Sequence, residues 1–342
     1  MLGRDGRTVL VTGGAGYIGS HVCKLLAQRG FRPVVFDNLV SGHRWAVRWG
    51  PLIEGDIRDG AALDQAFANH DPSAIMHFAA YASVAESIRD PLSYFDNNVA
   101  GTVSLLAAAR RYGVGQLVFS SSCATYGLAR QVPIGEEQPQ LPINPYGASK
   151  LMVERMLADC GAAYGLRSVA LRYFNAAGAD PEGEIGEWHA NETHLIPLIL
   201  EAASGRRPAA FINGTDYDTP DGTCIRDYIH VTDLADAHVR ALEWLRHGGA
   251  SQNFNLGNGR GYSVKEIIAA ARTICGRDIP VVVRERRPGD PPELIGDPAL
   301  AKRVLGWSPS RGDISDQIGD AWRWHCRAVK RFASTKPVQS VA

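Results

Sequence analysis

Short apolar runs alternate with stretches of helical period through the first half of the chain. The runs at residues 9–11, 33–36, 74–78, 117–119 and 169–171 are continuous rather than alternately polar and apolar. Strands covered by helices on both faces read in this way. Strand and helix patterns in strict alternation predict a parallel sheet with crossover helices, and so an α/β doubly wound sheet of the Rossmann type. Two helices stand out: residues 91–112, with Val99, Val103, Leu106 and Ala109 at helical spacing, and residues 146–164.

After Arg172 the pattern loosens into Gly- and Pro-rich stretches at 176–191 and 213–223, which read as loops around a site. Strand-like runs at 226–231 and 253–256 flank a helical pattern at 232–245, so the chain is expected to re-enter the first domain before leaving it. The predicted organisation is a dinucleotide-binding domain over residues 1–173 with a return segment at about 229–256. Residues 174–228 and 257–332 then make a smaller, discontinuous α/β substrate lobe. Residues 333–342 lack an apolar pattern and are expected to be disordered.

Composition narrows the function. With 342 residues, 45% hydrophobic and 21% charged, the chain is long enough for a nucleotide-binding domain plus a lobe, and no apolar run approaches the ~18 residues of a membrane span. Lys and Arg balance Asp and Glu at 36 each, which offers no global field for nucleic acid. The first six residues lack the apolar core of a secretory signal, so a cytoplasmic protein is expected. The six cysteines are scattered and the ten histidines form no two-histidine helical motif, so no metal is expected.

The run at 9–11 leads into Gly13, Gly14, Gly16 and Gly19, with a helical pattern directly behind. A diphosphate needs bare backbone and the positive end of a helix, and strand, glycines and helix supply both. Asp37 ends the next apolar run, about 20 residues on, where a carboxylate accepts from an adenosine ribose and repels a 2′-phosphate. That favours NAD over NADP, although Asp37 with Asn38 also suits a simple turn. Asp56 and Ile57 follow the run at 51–54 and reach for the adenine edge, unless Asp56 is a helix cap.

Tyr146 and Lys150 lie four apart at the start of a predicted helix and so share a face. Lowering a phenol by about 3 pKa units takes about 4 kcal/mol of stabilisation of the phenolate, a role that Lys150 and a cationic nicotinamide can fill. Ser122, beyond the strand at 117–119, is the third candidate, placed to orient or relay a proton.

A glycine-rich start, a serine beyond a middle strand and Tyr146 with Lys150 resemble the extended short-chain dehydrogenase/reductase family over nearly the whole chain. Within it, the stretches 77–80, 96–98, 172–175 and 226–231 are similar to those of UDP-glucose 4-epimerases. The resemblance implies that Tyr146 takes the proton of the sugar 4-hydroxyl while NAD accepts the C4 hydride; a 4-keto sugar then turns over in the pocket and receives the hydride on its other face. It implies NAD contacts at Gly13, Gly16, Tyr17, Ile18, Gly19, Asp37, Asn38, Ser41, Gly42, Asp56, Ile57, Phe78, Ala79, Ala80, Asn97, Ser120, Tyr146, Lys150 and Tyr173. For the UDP-sugar it implies Ser122, Tyr146, Asn175, Leu195, Tyr217, Arg226, Arg287 and Asp290. A homodimer built on the helices near Pro91 and Tyr146 is also implied.

Two positions depart from the family's pattern: Asn213 stands where an aromatic is common, and Ala82 replaces a lysine found in some relatives; Leu294, neither very large nor very small, falls where related enzymes set the size of the sugar pocket. A nucleotide-sugar 4,6-dehydratase is disfavoured, because Cys123 and Ala124 stand where its Asp-Glu pair is needed. Epimerases of UDP-pentoses or UDP-N-acetylhexosamines remain as alternatives, and a noncatalytic NAD-binding regulator is the rival from another class.

Overall fold

The structure, a computed structural model, describes residues 6–287 and 289–332. The expected disordered tail, 333–342, lies outside the described residues. Seven strands form the central sheet: β1 (Thr8–Thr12), β2 (Arg32–Asp37), β3 (Leu52–Glu54), β4 (Ala74–His77), β5 (Gln116–Ser122), β6 (Arg167–Tyr173) and β7 (Gln252–Leu256). Their order is β7-β6-β5-β4-β1-β2-β3, and every neighbouring pair is parallel. The chain starts at β1, builds outward through β2 and β3, then crosses back to β4. That reversal makes the crevice beyond the carboxyl ends of β1 and β4 the natural place for a ligand.

The strands read as continuous apolar runs because both faces are covered. Along β1, Val9 and Val11 join the core under α1 (Tyr17–Gln28), while Leu10 joins the opposite core with α2 (Gly60–His70). On that face α3 (Gly101–Arg111) packs against α2, and α3 and α4 (Pro145–Tyr164) contribute Leu105, Leu106, Val153 and Leu157 to the same core. Helix α5 (Val231–Arg246) lies beside α1 through Leu234, Val239 and Leu242. The predicted helix over 91–112 is present but not uniform: Pro91–Tyr94 leads into a wide π turn at Phe95–Ala100 and then into α3. Such turns re-aim side chains and occur often at functional sites.

The run at 226–231 does not re-enter the central sheet. Ile225–Arg226 pairs with Tyr262–Ser263 and Glu293–Leu294, and Tyr228–His230 pairs with Asn175–Ala177; Val231 already begins α5. Only β7 returns. An apolar run specifies a buried strand but not its partner, and here the partners lie tens of residues away on either side, at 175–177, 262–263 and 293–294. A separate core, built on Ile199, Leu200, Ile267, Ile268 and Ile318, holds Leu195–Ala203, Val264–Cys275 and Ile314–Phe332 together beyond the sheet. Among the described residues, no helix is long and apolar enough to cross a membrane.

Candidate active site

The glycine turn between β1 and α1 is shaped by contacts that a side chain would block. Gly13 has φ +74°, and a Cβ there would stand 2.5 Å from the Ala79 nitrogen; at Gly19 it would stand 2.3 Å from the Gly13 carbonyl oxygen. Helix α1 starts at Gly16 with no side chain capping it, so its first N–H groups face the crevice with the helix dipole behind them. Asp37, at the end of β2, accepts from the Ala15 and Leu39 backbone N–H groups at 2.9 and 2.8 Å. Each carboxylate oxygen retains a lone pair for a ribose hydroxyl. Burial raises the Asp37 pKa, and those two N–H bonds oppose the rise.

This backbone cradle fits an NAD dinucleotide, and one cleft collects nearly all the residues assigned to it. Gly13, Gly16, Tyr17, Ile18 and Gly19 line the cleft from the first turn, and Asp37, Asn38, Ser41 and Gly42 from the second. Ile57, Phe78, Ala79, Ala80, Asn97, Ser120, Tyr146, Lys150 and Tyr173 complete it. Asp56 is the exception. Its carboxylate is taken by the Arg58 guanidinium, at 2.9 and 2.7 Å, and by the Asn38 amide at 3.0 Å, which hold its pKa well below the usual range. Asp56 thereby holds Asn38, which lines the cleft. Asn97 reaches the cleft through the π turn, where Asn98 anchors the backbone by bonding Tyr81 N, Tyr81 O and Ser149 Oγ.

Tyr146 and Lys150 enter from the first turn of α4, which Asn144 caps by accepting from Gly147 N at 2.8 Å, with Pro145 in the first helical position. Lys150 Nζ donates to the Ser120 carbonyl at 2.7 Å and lies 4.9 and 5.7 Å from the Phe119 and Tyr146 ring centres. Burial brings its pKa down to about 7, against a smaller opposing effect of Glu154. The same burial pushes the Tyr146 phenol up; Tyr173 adds to the rise and a Ser122 hydrogen bond opposes it. The expected lowering of the phenol by Lys150 is therefore not a property of these side chains alone, because desolvation outweighs the nearby amine. Ser122 ends β5, and its Oγ accepts from Ala124 N at 3.1 Å. Tyr173 shares a hydrogen bond with Ser120 Oγ beneath the cleft.

The remaining candidates gather in the outer lobe. The Arg226 guanidinium binds Asp290 and donates to the carbonyls of Ile225, Pro291 and Pro292, so Arg226 and Asp290 are placed as a pair. Burial pushes the Cys123 thiol, next to Ser122, up to about 12, and the Arg226 charge opposes the rise. Tyr217 is buried under the Arg286 guanidinium, 4.2 Å from its ring centre, and its hydroxyl has no partner among the described residues. Arg287 faces the Asn213 amide oxygen at 3.3 Å, so the position that departs from the family's aromatic here meets a guanidinium. Asn175 donates its backbone N–H to the Asp227 carbonyl, Leu195 begins its helix, and Leu294 packs against the core of Cys123, Tyr126 and Phe174.

Several cleft residues escape a reading by motif. Phe36, Val40, Gly55 and Tyr81 line it beside the assigned residues, as does Ala82, one of the departures from the family's pattern. His189 and His194 also reach it, from the loop at 176–191 and just beyond. The fingerprint could have suggested the first four by adjacency, whereas no spacing signals the histidines.

Comparison with known proteins agrees with this geometry. Residues 9–257 match the NAD dependent epimerase/dehydratase family. The chain is 57% identical over 323 residues to UDP-glucose 4-epimerase of Rhizobium leguminosarum bv. trifolii, covering 94% of this chain and 98% of that one. It is 54% identical over 319 residues to the enzyme of the same name from Rhizobium meliloti (strain 1021), covering 93% and 97%. A crystal structure of UDP-glucose 4-epimerase from Brucella ovis in complex with NAD superposes with a TM-score of 0.91 at 55% identity, over 92% of this chain and 97% of that one. Glycine turn, acidic β2 terminus and Tyr-Lys helix thus occur together in a chain that belongs to the NAD-dependent epimerase/dehydratase family.

Proposed function

We propose that this chain catalyses the reversible, NAD-dependent inversion of C4 that interconverts UDP-galactose and UDP-glucose. The observation that carries it is a single cleft in which the bare glycine turn, Asp37 and the Tyr146–Lys150 pair all open, in a chain more than half identical to UDP-glucose 4-epimerases. NAD, when bound, supplies a reversible hydride acceptor. Tyr146 accepts the proton of the sugar 4-hydroxyl and returns it, so no proton is consumed over the cycle. Ser122 orients that proton. Lys150, held by the Ser120 carbonyl, supplies positive charge beside the phenol.

Inversion requires the sugar to present both faces, so the firm contacts belong on the nucleotide. Arg226, Arg287, Asp290, Tyr217, Leu195 and Asn175 are assigned that role in the outer lobe, Arg226 with its charge shared by Asp290. Residues 6–173, with the return through α5 and β7 at 231–256, carry the cofactor in this reading. The homodimer is assigned to the helices near Pro91 and Tyr146, where Leu92, Val103 and Met152 are exposed apolar residues, and sedimentation equilibrium tests it.

Purified protein incubated with UDP-galactose and no added NAD is expected to yield UDP-glucose with no net NADH. Conversion of only a UDP-pentose or a UDP-N-acetylhexosamine would reassign the substrate. No conversion of any of them, even with NAD added, would favour the noncatalytic regulator.

A further inference from the structure

Four potential metal ligands fall within eight residues of chain, at the rim of the cofactor cleft. The ligating atoms of Glu187, His189, Glu192 and His194 all lie within 4.8 Å of one another. His189 Nδ1 stands 3.4 Å from Glu187 Oε1 and 3.3 Å from Glu192 Oε2, and His194 Nδ1 is in direct contact with Glu187 Oε1. Neighbouring ligands of a tetrahedral ion bound at about 2.05 Å are about 3.3 Å apart, so the two His189 spacings already match an ion, and the direct His194–Glu187 contact opens to admit one.

The surroundings hold these groups in place. Glu192 Oε1 accepts from the backbone N–H groups of Thr193 and His194 at 2.8 and 2.9 Å, which aims Oε2 at His189. The Glu187 carbonyl accepts from Trp324 Nε1 at 2.9 Å, and the Trp188 carbonyl meets His43 Nε2, so the N-terminal end of the segment is fastened to the body of the protein. Both carboxylates are buried, with side chains 6% and 4% exposed, and require compensating charge. Two protonated imidazoles can supply it, as can one divalent cation with both imidazoles neutral.

We propose that Glu187, His189, Glu192 and His194 form a closed structural site for a transition-metal dication of the zinc class, holding both histidine rings at the cofactor cleft. A two-nitrogen, two-oxygen set selects zinc-like ions over magnesium or calcium, which prefer oxygen alone. Four protein ligands leave no open position, so the role is structural rather than catalytic. Binding displaces the two imidazolium protons, which keeps the buried charge balanced. The spacing of two, three and two residues is that of a loop, which a search for helical histidine pairs passes over. The neighbouring trio Asp180, Glu182 and Glu184 already closes on the Lys24 ammonium at 2.6–2.8 Å.

That the site also slows cofactor release rests on the NAD reading above; metal uptake does not, and is measured separately. Tag-free protein stripped with a chelator is titrated with Co²⁺ and followed by visible absorption, and with Zn²⁺ followed by elemental analysis. One equivalent of metal with tetrahedral cobalt bands and no thiolate charge-transfer band is expected. Glu192→Gln, nearly isosteric, and His189→Ala should each weaken uptake by at least about 10–100-fold, the amount that outer-shell partners alone are worth. The absence of stoichiometric uptake by the wild type, a thiolate band, or unchanged uptake in Glu192→Gln would each overturn the site and leave two carboxylate–imidazolium pairs. Zn²⁺-loaded protein should release NAD more slowly than chelated protein; equal rates would overturn the clamp.

Discussion

Tyr146 and Lys150 share a face because they are four apart on a helix, whatever surrounds them. Their proton affinities follow from burial, which the fold imposes: the amine is brought to about 7 and the phenol is raised. Tyr146→Phe should lower turnover by about 10²–10⁴-fold and leave NAD in the purified protein; turnover within a few-fold of wild type would remove Tyr146 as the base. Lys150 also makes a stability prediction. Its folded pKa, about 7, lies below its ordinary 10.5, so between those values the unfolded chain binds the extra proton and stability rises with pH. The destabilisation is complete below pH 7 and relieved toward 10.5. Lys150→Met should therefore be more stable than wild type in denaturant titrations at pH 6, with an advantage that shrinks by pH 9 to 10; an advantage growing with pH would contradict this.

At the scale of elements, the glycine turn was legible because a close backbone approach leaves only one residue type possible. Gly13→Ala combines left-handed φ, at about 1–2 kcal/mol, with a clash against the Ala79 backbone, and should lose stability and bound NAD together. Gly30 has a similar φ, +79°, with nothing within 4 Å of its missing Cβ. Gly30→Ala should show only the backbone cost in thermal unfolding and keep its cofactor. The join between α4 and β6 was not legible. Glu154, one turn beyond Lys150, binds Arg172 Nε at 3.0 Å and Nη2 at 2.6 Å, and accepts from Ser121 and Gln140. In the sequence, Arg172 only opens a family-like stretch, and a charged residue on α4 looks like a solvated one. Glu154→Leu should cost about 3–5 kcal/mol by stranding a buried guanidinium, whereas Glu154→Leu with Arg172→Met should cost less than the sum of the singles. Additive losses in urea unfolding would deny the coupling.

For the whole molecule, acid sensitivity is written into its core. His21, His77 and His238 are buried with hydroxyl or carbonyl partners instead of carboxylates, and burial lowers them to about 4, 3 and 4. Below the ordinary 6.5 the unfolded chain takes up protons that the folded one refuses, so stability falls with pH from about 6.5 toward 4. The slope approaches about 4 kcal/mol per pH unit for three protons. Denaturant midpoints at pH 7, 6 and 5 check this, and a flat profile would mean these rings accept protons in the folded state. The sequence by itself determined the strands of the central sheet, the glycine turn and the Tyr-Lys helix, because each depends on residues within a few positions of one another. The tertiary structure decided where residues 225–230 pair, that Asp56 serves Asn38, that Arg226 meets Asp290, and that Glu187, His189, Glu192 and His194 converge at the cleft. Those outcomes depend on which distant segments share a surface and how much water they exclude, and neither pattern nor spacing along the chain carries that information.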